Sequence, residues 1–395
     1  MKKSSTNPLV TPFNRPRFAQ KEREYLNDVL RSGHTSGDGA YTRKCERFFE
    51  EQLKIPRSLL TTSCTDALEM CALLLKIGPS DEVIVPSFTF VSTANAFVLR
   101  GAKLVFADIR PDTLNIDEKR LEALISKRTR AIVAVHYAGV GCEMDSITTI
   151  ARRYKIAVVE DNAHGLFGSY RGNALGTFGC LATQSFHETK NITCGEGGAL
   201  LINDSCLVER AEILREKGTN RAKFFRGEVD KYSWVDFGSS FLPSELNAAV
   251  LWAQLQRSQG IQKERKRIWE TYYHRLQEWA SESGVSLPHV PAHVSQPWHM
   301  FYMLFNNLEE RTRFLAAMRG AGIGAVFHYL PLHKSKMGVL YAARKTSCPI
   351  AEDISDRLVR LPLYNGLARR TQDAVVTAVL NYKTSHYSEA KETVA

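Results

Sequence analysis

The stretch Thr183–Leu201, TQSFHETKNITCGEGGALL, decides how the rest of the chain is read. A strand-like run ends at Ser185, Phe186 and His187, and Lys190 follows in a short turn. Gly195, Gly197 and Gly198 then let the backbone fold back closely before a second apolar strand, Ala199 to Ile202. The pattern holds a lysine at a strand end. Taken alone, such a lysine also reads as a solvated loop residue. Its neighbours change that reading, and they lie far away in sequence.

Working outward, strand signals recur at Glu82–Val85, Lys103–Phe106, Ala131–His136, Ile156–Val159 and Leu181–Phe186. The segments between them, Thr89–Leu99, Asp117–Ser126 and Glu143–Tyr154, have helical spacing. This alternation predicts an α/β fold with a mainly parallel sheet covered by helices. Ligands of such sheets bind beyond the carboxyl ends of the strands, which singles out Phe88 to Phe90, His136, Tyr137, Glu160 to His164 and Ser185 to Lys190.

Asp161 directly follows the run KIAVVE, at the edge of a buried strand, where an unpaired carboxylate is costly. It reads either as a helix N-cap or as the partner of a buried cation. Further upstream, LLTTSCTDALEMCALLLKI (Leu59–Ile77) joins a short apolar run to a helix, with Ser63 and Thr65 as N-cap residues. Free N–H groups at such a junction can hold an anion, though simple capping accounts for it equally. Lys190, Asp161, the hydroxyl-rich helix start and an aromatic ring at Phe90 together meet the needs of pyridoxal phosphate (PLP). These are a Schiff-base lysine, a carboxylate for the pyridinium nitrogen, a phosphate cradle and a ring to stack on.

Composition narrows the alternatives. With 395 residues and 44% hydrophobic content the chain can bury a large core, divided into a large domain and a smaller one. The N-terminus MKKSSTNPLVTPFNRP has no continuous apolar region, and no run is long enough for a membrane span, so a cytoplasmic protein is expected. The eight cysteines form neither CxxC pairs nor a zinc-type pattern, so neither a disulfide frame nor a metal is expected. The net charge of +10 comes from basic residues interspersed with acids, as in DEKRLEALISKRTR, which is the pattern of solvated helix faces and not of a nucleic-acid surface.

The flanking segments complete the plan. Helices are expected at Glu22–Arg31, Arg43–Leu53, Asn203–Lys217 and, as one long region, Pro243–Ala280. A smaller α/β unit follows, with a strand at Met300–Phe305, a helix at Arg311–Gly320, a strand-like Gly324–Tyr329, and helices near Ile350–Leu358 and Thr371–Asn381. The tail after Tyr382 is polar and expected to be loose. The large domain is placed at 1–260, with N-terminal helices, and the smaller one at 261–395, entered through the long helix.

Several motifs in order then carry a resemblance: GDGAYTRKCERFFEE, TTSCTDALEM, DEVIVPSFTFVSTANAF, VFADIRPDTLNID, VVEDNAHG, QSFHETKN, GEGGAL and VFHYLPLH. From about Pro12 to Tyr382 the chain resembles the DegT/DnrJ/EryC1/StrS sugar aminotransferases, within the fold type I PLP enzymes. The resemblance implies a mainly parallel, seven-stranded-type sheet, a smaller C-terminal α/β domain, PLP as cofactor, and a homodimer with active sites at the interface. It implies that Lys190 bonds to the cofactor and moves protons, and that Asp161 pairs with the pyridine nitrogen. His164 would lie near the ring hydroxyl, Phe90 would stack on the ring, and Cys64, Thr65 and Ser185 would hold the phosphate. Many members carry glycine in place of Cys64 and an asparagine-bearing motif in place of GSS, Gly238–Ser240; Ser240 stands where that asparagine reaches the neighbouring subunit's phosphate.

The wording REKGTNR, FFRGEVDKYSW and GSSFLPSELNAAVLWAQL is most similar to the subgroup that makes dTDP-4-amino-4,6-dideoxygalactose for surface polysaccharide. The substrates so implied are a nucleotide-linked keto sugar and L-glutamate. Lys217, Arg221 and Arg226 are candidate partners of the nucleotide diphosphate, or ordinary surface cations. His328 is a candidate sugar contact, or a satisfied structural histidine. Sugar dehydratases of this fold have histidine at the position of Lys190, which argues for amino transfer. A cofactor-sensing DNA-binding regulator would need a winged-helix domain, for which only about twenty residues precede the first helix.

Overall fold

The computed structural model describes residues 11–384. The helices α1 (Gln20–Ser32) and α2 (Ala40–Leu53) precede strand β1 (Arg57–Thr61) and helix α3 (Cys64–Leu74). Then β2 (Glu82–Pro86), α4 (Val91–Val98), β3 (Lys103–Ala107), α5 (Leu121–Leu124), β4 (Thr129–Val135), α6 (Met144–Tyr154) and β5 (Ala157–Asp161) alternate. A small ribbon of β6 (Ser169–Tyr170) and β7 (Asn173–Ala174) leads to β8 (Leu181–Ser185) and β9 (Gly198–Ile202). After α7 (Val208–Arg215) and α8 (Arg221–Phe225), α9 (Glu245–Gln256) and α10 (Ser258–Glu282) carry the chain away from the sheet. The remainder is β10 (Val294–Ser295), β11 (Phe301–Leu304), α11 (Leu308–Gly320), α12 (Lys336–Tyr341), α13 (Pro349–Arg357), β12 (Leu358–Leu361) and α14 (Arg369–Leu380).

The main sheet has seven strands in the order β1-β9-β8-β5-β4-β2-β3. Strands β3, β2, β4, β5 and β8 run parallel, and β9 is antiparallel to both β8 and β1. The parallel strands are buried on both faces, which is why they read as continuous apolar runs such as VIV and AIVAV and not as alternating ones. One face packs under α3 and α4 through Leu68, Met70, Cys71 and Phe97. The other is closed in part by α6, through Met144, Ile147 and Ala151, and in part by α2 and α9, through Phe49, Ala248 and Leu251. The carboxyl ends of β5 and β8, neighbours in the centre of the sheet, deliver Asp161 and Ser185 to the same edge.

A second core forms around the antiparallel pair β11–β12, covered by α10, α11 and α14 through Trp269, Tyr272, Phe314, Val375 and Val376. The two cores are not independent. Met300, Tyr302, Leu304, Ala351, Ile354 and Leu358 belong to the same apolar cluster as the α3 face of the main sheet.

Four expectations are corrected. Gly324–Tyr329 is not a strand: Val326 exchanges two backbone hydrogen bonds with Arg360, at 3.1 and 2.7 Å, and no second pair follows. Gly324 is instead bonded to Thr11, and residues 327–330 turn away to bring His328 and Tyr329 over the sheet. The helical region Pro243–Ala280 breaks at Arg257, whose φ of −104° and ψ of 7° separate α9 from α10. The helix expected from Asn203 to Lys217 is the shorter α7, preceded by a 3-10 turn capped by Asp204. Thr65 is not a cap: Ser63 alone caps α3, accepting from the Asp66 N–H at 3.0 Å, while Thr65 lies inside the first turn. The polar tail beyond Thr384 lies outside the described residues.

Candidate active site

Lys190 sits in the turn after β8, its N–H donating to His187 O at 2.9 Å. Its side chain is half-buried. Burial brings its amine down to about 8, against the attraction of Asp161 and with a further downward push from Arg360. An amine that titrates near neutrality is available as a base or nucleophile. Asp161, buried at the end of β5, is not a helix cap. Its Oδ2 accepts from the Thr93 hydroxyl at 2.7 Å and its Oδ1 from the Ala163 N–H at 3.2 Å. Because the Thr93 proton is committed there, the Thr89 hydroxyl, 2.8 Å away, donates to Thr93. The carboxylate is thereby fixed from behind with one edge left for a cation.

Not every strand-end residue belongs to the site. Glu160, fully buried, accepts from the N–H groups of Gly176, Phe178 and Gly179 and from His136 Nε2 at 2.9 Å. It ties the β6–β7 ribbon to the sheet, and His136 is spent in that network, accepting from Cys142 N–H at 3.1 Å through Nδ1.

The anion cradle forms where β9 passes the start of α3. The Cys64 and Thr65 N–H groups lie in the first turn, where no intrahelical acceptor exists. A Cβ added to Gly198 would collide with the backbone of Ser63 and Cys64, so the absence of a side chain lets the two backbones meet. The Thr65 hydroxyl bonds Ser92 at 2.8 Å, and the Cys64 thiol lies 3.5 Å from the Thr183 hydroxyl, with burial pushing it up to about 12. This thiol stays protonated and serves as a small neutral filler. Ser185 is buried at the end of β8, paired with Gly198.

A ring-rich wall closes the opposite side. His164 stacks on His299, centroids 4.3 Å apart at 18°, and its Nε2 lies 3.4 Å from the Tyr329 hydroxyl. Burial, then Lys190 and Arg360, hold His164 well below the usual histidine range, so it is neutral, and its Nδ1 is buried without a partner. His328 stacks on Tyr329 at 3.6 Å and is bonded through Nδ1 to the Tyr137 hydroxyl at 2.7 Å; burial keeps it neutral too. Phe90 stands at the start of α4, 54% exposed, with its ring 6.2 Å from the Tyr329 ring.

The cations Lys217, Arg221 and Arg226 do not meet this wall through any of their ion pairs. Lys217 and Arg221 each pair with Glu216 at 3.6 Å, and Arg226 is shared by Glu212 and Glu228 at 2.8 and 2.6 Å. Ser240 is exposed and bridged to Glu216, one residue before Phe241, whose carbonyl accepts from Thr62 N–H at 2.8 Å. Sequence reasoning missed Thr93, His299, Tyr329 and Arg360. Thr93 could have been found in the first turn of the helix that follows Phe90, close behind the strand-end residues singled out at Phe88 to Phe90.

The residues present fit PLP. The Asp161 carboxylate lies near enough to Lys190 for its charge to act on the amine, the α3 start offers N–H groups to a phosphate, and His164 Nδ1 lacks the hydrogen-bond partner that a ring hydroxyl would supply. Fold and site together define a fold type I PLP-dependent aminotransferase. The match to the DegT/DnrJ/EryC1/StrS aminotransferase family spans residues 16–380, and the chain belongs to that family. The uncharacterised protein MJ1066 of Methanocaldococcus jannaschii is 34% identical over 378 residues, 94% of this chain and 96% of that one. Among solved structures, Helicobacter pylori PseC, an aminotransferase involved in pseudoaminic acid biosynthesis, shares 25% identity with a TM-score of 0.86 over 96% of this chain and 99% of its own. Spr1654 of Streptococcus pneumoniae in its PLP form shares 25% identity with a TM-score of 0.85 over 96% of this chain and 98% of its own.

Proposed function

We propose that the protein transfers the amino group of L-glutamate to C4 of dTDP-4-dehydro-6-deoxy-D-glucose, giving dTDP-4-amino-4,6-dideoxy-D-galactose and 2-oxoglutarate. The observation that carries amino transfer is the lowered Lys190 amine beside the fixed carboxylate of Asp161. The particular sugar rests on the likeness of the segments 215–221, 224–234 and 238–255 to the subgroup with that product.

PLP, when bound, supplies an aldehyde that accepts the amino group and a ring that stores the electrons left when the amine carbon loses its proton. Lys190 anchors the cofactor and, once released, takes that proton on Nζ and returns it at the other end of the transfer. Enclosure keeps Nζ neutral often enough at neutral pH to act as a base. Asp161 would pair with the protonated ring nitrogen, aimed by its bonds from Thr93 and Ala163. His164 Nδ1 would meet the ring hydroxyl, Phe90 would cover one ring face, and the Cys64 and Thr65 N–H groups with Ser185 would hold the phosphate. His328 orients the sugar from the cavity wall.

Lys217, Arg221, Arg226 and Ser240 would serve the site of a second copy in a homodimer. Their segment supports this reading, since Phe225, Trp234 and Phe237 on it are 65%, 80% and 67% exposed, an apolar display unusual for a free surface.

The test is incubation of PLP-loaded protein with dTDP-4-dehydro-6-deoxyglucose and L-glutamate. 2-Oxoglutarate release is followed, and the sugar is identified by mass spectrometry and proton coupling constants. An axial C4 amine is expected. An equatorial one would move the assignment to the gluco epimer, and transfer only to a GDP-linked keto sugar would move it to perosamine formation.

A further inference from the structure

Asn191 directly follows Lys190, and its side chain is buried. Its Nδ2 donates to Pro297 O at 2.7 Å and to Gln262 Oε1 at 3.2 Å, while its Oδ1 lies 2.9 Å from His299 Nδ1. Its backbone carbonyl accepts from Asn365 Nδ2 at 3.3 Å. Gln262 lies on α10, and the other three partners lie beyond it in the smaller unit. The turn that carries Lys190 is thus tied to that unit at the very next residue.

Chemistry fixes the direction of these bonds. The Pro297 carbonyl can only accept, so Nδ2 faces it and Oδ1 faces His299. A carbonyl oxygen also only accepts, so the His299 proton sits on Nδ1 and Nε2 carries a lone pair. Burial first, and then His164, Lys190, Arg265 and Arg360, hold His299 well below the usual histidine range, so it is neutral and keeps this one tautomer.

Trp298, between the two residues that Asn191 grips, has a φ of 50°, in the left-handed region that a bulky side chain seldom adopts. Such a bend persists only where its surroundings over-determine it. Asn191 holds it from one side, and Arg265 holds it from the other through Trp298 O at 3.1 Å and His299 O at 2.5 Å. The bend lays the His299 ring flat on His164, centroids 4.3 Å apart at 18°. Pro297 meets the His164 backbone as well, since a Cβ on Gly139 would strike both the proline ring and the His164 carbonyl. The His164 ring has one long hydrogen-bond contact of its own, 3.4 Å from Nε2 to the Tyr329 hydroxyl, so its orientation depends on the ring it stacks against.

We propose that Asn191 is a positioning residue: by fixing the tautomer of His299 and the bend at Trp298, it seats the stack that aims His164 Nδ1 at the cofactor's ring hydroxyl. The inference rests on the PLP reading above and adds to it a residue that would touch neither cofactor nor substrate. It also makes the Lys190 turn and the His164 contact one mechanical piece.

The first test needs no cofactor. In protein carrying 15N-labelled histidine, the His299 signals are assigned by their loss in His299→Phe. They should show a proton on Nδ1 and none on Nε2 from about pH 6 to 8. Asn191→Leu, of similar volume, removes the three side-chain bonds. His299 should then populate both tautomers, and the half-saturating PLP concentration in an absorbance titration should rise about tenfold. Asn191→Asp keeps the acceptor and loses the donors, so the tautomer should stay and less affinity should be lost. Its carboxylate should also draw a second proton onto His299, giving the visible band of bound PLP a step between about pH 5 and 8 that wild type lacks. The groups that act on His299 in wild type, His164, Lys190, Arg265 and Arg360, include no carboxylate, so such a step would come from the introduced one.

A proton on Nε2 of wild-type His299, or a mixture of tautomers there, overturns the proposal. Equal losses of PLP affinity in the leucine and aspartate variants with the tautomer unchanged overturn it too, marking Asn191 as a plain support of Pro297. If the leucine variant misfolds, the wild-type tautomer and the pH step of the aspartate variant still decide. Wild type with the Nδ1 proton that takes up no PLP would sink the cofactor reading, a failure distinct from a wrong tautomer.

Discussion

Lys190 concentrates the competing forces of the site in one side chain. Burial drives its amine down from 10.5 to about 8, and the nearby Asp161 offsets only part of that. In cofactor-free protein below pH 8 the lysine is charged folded and unfolded, so folding carries the full desolvation cost. Between about pH 8 and 10.5 the unfolded chain binds the extra proton, and stability rises with pH. Lys190→Met, which cannot transfer amino groups, should therefore be more stable than wild type by up to about 3 kcal/mol at pH 7. That excess should shrink as pH approaches 10.5. Urea unfolding of the two apoproteins at pH 7 and pH 10 checks it, and a gap independent of pH would mean the amine is not desolvated.

The Asp161 support makes a second prediction at this scale. Thr93→Val removes the hydroxyl that donates to Asp161 Oδ2, at an expected cost of about 1–3 kcal/mol and a roughly tenfold fall in kcat. Thermal unfolding alongside steady-state kinetics reads both. Lys190 and Asp161 could be seen in the sequence because each is a charge set at the end of an apolar run. Arg360 also interrupts such a run, RLVRLPLY, but the effect of its charge on Lys190, 170 positions away in the chain, arises only through folding. His299 escaped because a histidine between Trp298 and Met300 carries no local sign that it will stack on His164.

At the scale of elements, the junction of β9 with α3 carries the most demanding geometry. The glycine-rich return of the chain after Lys190 was visible as composition; the reason for Gly198 was not, since it lies in the backbone of Ser63 and Cys64, more than a hundred residues earlier. Gly198→Ala should push the α3 start away from β9. We expect a stability loss above about 3 kcal/mol, as backbone and not a flexible side chain must move. The affinity for PLP should fall with it, measured by absorbance titration. Ala199→Gly, one residue along the same strand, should cost stability without a comparable loss of affinity. The segment 324–329 failed to be a strand for a related reason: its apolar alternation is real, but its hydrogen bonds are claimed by Thr11 and Arg360, and its rings by the site.

On the scale of the molecule, the issue is how the smaller unit, which brings His299, His328, Tyr329 and Arg360, is held in register with the sheet that brings Lys190 and Asp161. One answer is the apolar cluster the two share. Another is Asp108, just past the end of β3. Its buried carboxylate accepts from Ile350 N–H at 3.1 Å and Ala351 N–H at 2.9 Å, capping α13 across the junction. A carboxylate at a helix N-terminus both satisfies free donors and complements the helix dipole. The sequence ADIRPDTLNID offered Asp108 only as one acid among several, because the donors it serves lie some 240 positions further on. Asp108→Ala should cost about 1–3 kcal/mol. Since the cores share a cluster, wild type should unfold in one transition, with far-UV circular dichroism and tryptophan fluorescence coincident; Trp269, Trp279 and Trp298 report on the smaller unit. The variant should keep a single transition at lower temperature. Two separated transitions already in the wild type would mean that the shared cluster does not couple the units, and the loss in Asp108→Ala would then be local to α13.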